Sequence, residues 1–197
     1  MTHQPPSIPG YDYGTSRSAL SPVSDAELSQ LEQTAGWTAA DAAILARHAD
    51  LFRTNAESMV DAWRALIAAQ PHLAHAFVNP DGTPDDAYKA SIKRRFIQWV
   101  IDVAVRPHDR DWLNYQHEIG LRHTPAKKNQ TDAAHTPSHV PLRYLIAFLP
   151  AVLQINSFIS ADIPDPAERT KLQQAWTKAV LLHITLWSRA YVPDDLW

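Results

Sequence analysis

The sequence predicts an all-α fold, and three observations carry that prediction. Only 5 of the 197 residues are glycine, about a third of the roughly 7% of ordinary usage. Alanine, leucine, glutamine and arginine, which lose little in a helix, are abundant. Apolar residues recur at helical spacing, and no segment alternates in the manner of a half-buried strand. A chain of 197 residues builds one sizeable core and is short for two. It contains no internal repeat.

Each element has a local reason. Residues 1–22 carry Pro5, Pro6, Pro9 and Pro22, a density that makes an extended arm rather than a helix. Ser24 and Glu27 form a capping-box pattern that opens a short helix, and Gly36 closes it at residue 35. Thr38 restarts the chain. Ile44, Leu45, Leu51, Phe52, Met59, Trp63, Leu66 and Ile67 then follow at helical spacing, as one long helix over 41–69 or two meeting near Thr54 and Asn55. Asn79-Pro80-Asp81-Gly82-Thr83-Pro84 is a turn. A helix over 85–105 places Tyr88, Ile92, Phe96, Trp99 and Val103 on one face and ends before Pro107. The next, over 109–123, aligns Trp112, Tyr115, Ile119 and His123 and is stopped by Pro125. Residues 124–139 are a polar loop, long for a compact domain and for that reason of functional interest. Helices over 140–160 and 166–190 close the chain, the last with Pro166 at its first position after Asp165.

Composition excludes several functions. With no cysteine there is no disulfide, thiolate zinc site, iron–sulfur cluster, cysteine nucleophile or thioether-linked haem. No two glycines are spaced for a dinucleotide fingerprint or a P-loop. A net charge of −3 is not that of a dedicated nucleic-acid binder. No apolar run approaches the roughly 18 residues of a membrane span, and residues 1–22 lack the apolar core of a secretion signal. We expect a soluble, cytoplasmic domain, with which the lack of cysteine agrees.

The 10 histidines are the metal-capable side chains. His117-Glu118 resembles the start of a zinc-protease motif, but position 121 is Leu and the next histidine is His123, so no pair shares one helical face. Asn129-Gln130-Thr131 matches a glycosylation acceptor that has no secretion signal to go with it. Two histidines lie on apolar stripes. His123 continues Trp112, Tyr115 and Ile119, and His183 continues Leu172, Trp176 and Val180. A neutral imidazole in either place is able to hold a haem iron, and the commoner fate of such a residue is a hydrogen-bonded core histidine. Periodicity does not choose between them. The aromatic stripe of Trp63, Phe96 and Trp99 is likewise core as readily as cofactor wall.

The stretch Trp112-Leu113-Asn114-Tyr115-Gln116-His117-Glu118-Ile119-Gly120-Leu121-Arg122-His123, followed by Lys127-Lys128-Asn129-Gln130-Thr131-Asp132, resembles the protoglobins, single-domain relatives of the globin part of globin-coupled sensors. The arm motif from Ile8 to Gly14, Pro71-His72-Leu73, the 79–84 turn, Arg95-Phe96 with Trp99, Arg143 to Phe148 and Leu186-Trp187-Ser188 match in family order, from about Ile8 to Val192.

The resemblance implies a globin fold with an additional N-terminal helix, at 24–35, and an arm over 1–22 that covers the haem edge, with 23–197 as the globin domain. It implies haem b between the helices of 85–105 and 109–123, with His123 as the iron ligand and an open opposite face that takes O2, CO or NO. The carried-over pocket residues are Trp63, Phe77, Phe96, Leu145 and Phe148, with Ile92 where many globins have a distal histidine and Arg95 near the propionates. Two positions depart from the family. Thr124 stands where a second histidine usually follows the ligand, and Arg64 stands where a tyrosine usually offers its hydroxyl to bound ligand. Arginine only donates and stays charged, so it favours anionic ligands if it faces the iron. The alternative is that Arg64 reaches to solvent with its stem on the pocket edge, which spares the cost of burying an unpaired charge. The family also implies a homodimer through the last two helices. Besides a haem-free helical scaffold, two other readings accompany gas binding. One is a haem enzyme acting on reactive nitrogen or oxygen species, or supporting carbene transfer. The other is a sensor signalling through a separate partner.

Overall fold

The computed structural model describes residues 8–197. The start of the arm, with Pro5 and Pro6, lies outside the described residues. The helices are α1 (Asp25–Ala35), α2 (Ala39–Arg47), α3 (Ala49–Ala68), α4 (Pro71–Ala74), α5 (Asp86–Val105), α6 (Arg110–Leu121), α7 (Leu142–Leu153), α8 (Asn156–Ile159) and α9 (Pro166–Ser188), with a 3₁₀ turn at His75–Phe77. Among the described residues the only strand-like pairing is one bridge between Val78 and Pro84.

Caps place the helix starts. The Ser24 hydroxyl accepts from the Glu27 amide and the Glu27 carboxylate accepts from the Ser24 amide, closing the capping box at α1. Asp85, Asp109 and Asp165 accept from the amides of Tyr88, Trp112 and Ala167 and open α5, α6 and α9. The core is packed from α3, α5 and α9. Phe52 on α3 stacks on Trp176 of α9, 5.2 Å between ring centres, and Met59, Val60 and Val100 are fully buried beside them. Burying a side chain of that size contributes about 1.5–3 kcal/mol.

Three boundaries differ from the sequence expectation. The stretch 41–69 does break, but at His48 rather than at Thr54 and Asn55. At the bend, Glu168 in the first turn of α9 binds both Arg47 (2.7 Å) and His48 (3.1 Å). Residues 71–77 form α4 and the 3₁₀ turn, which periodicity cannot register in so few residues. The helix expected over 140–160 ends at Leu153, past Pro150. At the break α9 satisfies the freed backbone. The Gln173 amide donates to the Leu153 carbonyl at 2.6 Å, and the Trp176 indole donates to Val152 at 2.9 Å.

That region also corrects the expectation of no span-length apolar segment. Leu142–Ile159 has a mean hydropathy of 1.5 over 18 residues, long and apolar enough by length and composition. In the fold it is interrupted by Pro150 and the break, and one face of α7 serves as a cavity wall.

The described part of the arm is docked on α5 and α6. Tyr11 donates to Asp102 (2.6 Å), which also accepts from Gln98 and Arg106. Burial pushes the Asp102 carboxyl up despite these donors, and the Tyr11 hydroxyl is pushed far above its usual range. Arg122 binds Asp12 at 2.8 Å and the Gly10 carbonyl. Gly10 sits at φ +73°, and a Cβ there would lie 2.7 Å from the Thr131 methyl and 2.8 Å from the Arg95 guanidinium. Gly10→Ala is therefore expected to lift the arm, at about 1–2 kcal/mol for the left-handed backbone alone. Limited proteolysis should then cut within the arm earlier than in the wild type while helical circular dichroism is retained.

Candidate functional site

The helices enclose a cavity of about 1320 Å³, larger than the ~300–1,000 Å³ of ordinary small-molecule pockets. One wall comes from α3 and α5, with Arg64, Ala65, Ile92, Phe96 and Trp99. The facing wall comes from α6 and α9, with Tyr115, Ile119, His123, Ile184 and Trp187. The α7 face with Leu145, Phe148, Leu149 and Val152 closes a third side, and Phe77 lies at the 70s turn.

His123 follows the last turn of α6. Its Nδ1 donates to the Ile119 carbonyl one turn back, at 2.8 Å. That bond assigns the proton to Nδ1 and leaves Nε2 with a lone pair. Burial, outweighing the Ile119 bond, holds the imidazole pKa below its usual value, so the ring is neutral. Trp187 stacks on it with ring centres 5.6 Å apart and planes 21° apart. Gly120 permits this approach, since a Cβ there would lie 2.9 Å from the Trp187 carbonyl. A fixed, neutral imidazole with one free nitrogen on an apolar cavity is the donor that an iron porphyrin needs.

His183, the other candidate, is in the core and does not line the cavity. Its Nδ1 accepts from the Trp99 indole at 2.9 Å, and its Nε2 has no partner.

The remaining expected residues divide by position. Phe77, Ile92, Phe96, Leu145 and Phe148 are in the wall. Trp63 is one layer behind it, buried and packed on Phe96 at 5.3 Å. Arg95 lines the cavity, but its guanidinium is taken by Asp132 (2.9 and 2.5 Å) and the Pro9 carbonyl (3.0 Å). It fastens the 124–139 loop to the arm. Arg64 lines the wall with its side chain 30% exposed and makes no hydrogen bond among the described residues. Its one ion pair, to Asp61, is long at 3.6 Å.

Wall residues that sequence reasoning did not assign to the site include Tyr115, Lys128 and Arg143. Tyr115 was visible in register with His123 and was given no role of its own. Lys128 carried no signal, because a lysine in a polar loop reads as solvated. It is buried, donating to the Ala76 carbonyl (2.9 Å) and the Thr136 hydroxyl (2.7 Å) with no carboxylate partner. Burial lowers its pKa to about 8. Arg143, quoted only as part of a matching stretch, lies over the Tyr144 ring at 4.7 Å without a hydrogen bond among the described residues. The His117-Glu118 pair is not a metal site. Glu118 accepts from Lys127 (2.6 Å), the Ala19 amide (2.9 Å) and Arg122 (2.9 Å), anchoring the arm. No group of three or more metal-capable side chains occurs among the described residues.

A family model described as Protoglobin matches residues 24–197. The chain belongs to the protoglobin family. Among solved structures, the globin domain of a Geobacter sulfurreducens globin-coupled sensor is similar, with a TM-score of 0.67 at 19% identity, covering 84% of this chain and 97% of that one. At that identity the likeness concerns the fold, which is the globin fold, here with α1 added before it. No curated protein matches the chain. Membership makes this protoglobin a haem globin. The cavity fits that group: its lining is mostly apolar, its volume is ample and His123 presents a free imidazole nitrogen.

Proposed function

We propose that this protoglobin holds haem b through His123 and reversibly binds O2, CO or NO on the opposite face. The observation that carries this reading is the His123 ring. Its Nδ1–H is tied to Ile119 and its Nε2 is free on an apolar cavity. Haem supplies an iron that takes a diatomic ligand, and the chain supplies the rest. Ile119 and Trp187 fix the imidazole, and the arm, docked through Tyr11, Asp12 and Gly10, shields the cofactor edge. Phe96 and Ile92 give apolar side chains to the wall that also carries Arg64. With Arg95 committed to Asp132, the cations that answer the propionates are Arg143 and Lys128, which line the cavity without a carboxylate partner.

Spectra of the ferric, ferrous and CO- or O2-bound protein test the reading. We expect a Soret band that moves on reduction and again with each gas. No band after haem supply would refute haem binding, and one indifferent to gas would refute gas binding. We further propose a cytoplasmic homodimer through α7 and α9, whose outer faces expose Ile146 (50%) and Leu181 (41%). Gel filtration showing only monomer would refute the dimer.

A further inference from the structure

Aromatic rings run in file from the cavity to the partly exposed Trp37. Trp99 and Trp187 line the cavity and flank His183, with ring centres at 5.6 and 6.1 Å. His183 lies 5.4 Å from Trp112. Trp112 stacks on His108 at 3.9 Å and His108 on Trp37 at 4.8 Å, both at 20° between planes. Trp112 is buried, whereas Trp37, between α1 and α2, is partly exposed. Every gap is that of rings in or near contact.

Packing alone does not require this composition. His183 is fully buried, and although its Nδ1 pairs with Trp99, its Nε2 has no partner, a cost that the pairing with Trp99 does not remove. Its Nδ1 receives the Trp99 indole N–H. An indole that loses an electron becomes strongly acidic, and here its N–H already donates to an imidazole nitrogen able to take the proton. At the other end His108 is bonded to Glu32 at 2.6 Å. Trp99 and Trp187 touch each other at 5.8 Å, and from Trp99 outward a single imidazole separates each indole from the next, His183 before Trp112 and His108 before Trp37.

We propose that Trp99, Trp112 and Trp37, bridged by His183 and His108, conduct electrons from a donor at the surface to a peroxide reduced in the cavity. The proposal rests on haem occupying that cavity. Trp99 gives one electron to the oxidant, and its indole proton moves along the existing bond to His183 Nδ1. An electron from Trp112 restores Trp99, and the proton returns. Trp37 restores Trp112 and is itself restored by an outside one-electron reductant. Two such passages balance hydrogen peroxide plus two protons against two waters, with two donor molecules each oxidised by one electron. The oxidant class is a peroxide and the donor class is a small one-electron reductant.

The test mixes the haem-loaded full chain with hydrogen peroxide and reads rapid-freeze electron paramagnetic resonance and the sites of oxidation by peptide mass spectrometry. We expect a tryptophan radical, with oxygen adducts on Trp37 that ferrocyanide suppresses as two are oxidised per peroxide. In Trp112→Phe the Trp37 adducts should be lost and damage confined to Trp99 and Trp187. His108→Leu interrupts the same file next to the surface, leaves Trp112 in the core and should also lose the Trp37 adducts. Undiminished Trp37 adducts in either loaded variant, or no tryptophan radical in the loaded wild type, would overturn the conduit alone. A chain that takes up no haem, recorded before peroxide is added, overturns the haem reading and the conduit with it.

Discussion

His123→Ala is expected to lose the Soret band under loading conditions that saturate the wild type. The cavity wall is mostly apolar, and among its histidines only His123 has its ring fixed by a hydrogen bond to a backbone carbonyl. Free imidazole should restore part of the band, because the deleted ring leaves space against Trp187. His183→Leu provides the contrast. It leaves the Trp99 indole unpaired, at a cost of about 1–3 kcal/mol, and is expected to melt earlier but to load haem with unchanged coordination spectra. A wild-type-like band in His123→Ala would remove His123 as the ligand. A lost band in His183→Leu, with the fold intact by circular dichroism, would point to His183 instead.

That pair of variants also shows how far the sequence alone reaches. Periodicity placed both His123 and His183 on apolar stripes and went no further. The difference between them lies in what the second nitrogen meets: a backbone carbonyl four residues back for one, a tryptophan 84 residues away for the other. The helices from 85 and 109 were legible because aspartate caps and a long apolar face mark them locally. The bend at His48 was not, and the side chain that contacts it there, Glu168, is 120 residues on. Arg95 shows the same limit. A sequence position beside Phe96 suggests a propionate partner, yet Asp132 and Pro9, brought in by the loop and the arm, take its guanidinium. Lys128 was hidden for the opposite reason, since nothing in a run of polar residues says which one the fold will bury.

Arg64→Leu is expected to weaken azide binding to the ferric protein by about ten- to a hundredfold, the equivalent of losing one charged hydrogen bond, while CO binding to the ferrous protein changes little. Arg64 is on the α3 wall, whereas His123 follows α6. Its hold on Asp61 is weak at 3.6 Å, and Asp61 keeps Lys93 at 2.9 Å whichever way Arg64 turns. A guanidinium with no hydrogen bond can therefore serve an anion in the cavity without stranding its old partner. The two sequence alternatives meet in this geometry: the side chain lines the cavity and is still 30% exposed, so its charge is hydrated without ligand. Charge sets the discrimination. Azide presents a full negative charge to a donor fork, whereas CO offers almost none. Arg64→Lys should fall between wild type and leucine, because it keeps the charge but not the planar fork. Equal azide dissociation constants in wild type and Arg64→Leu, at equal haem loading, would show that Arg64 serves solvent only and that the apolar residues Phe96 and Ile92 define the ligand face.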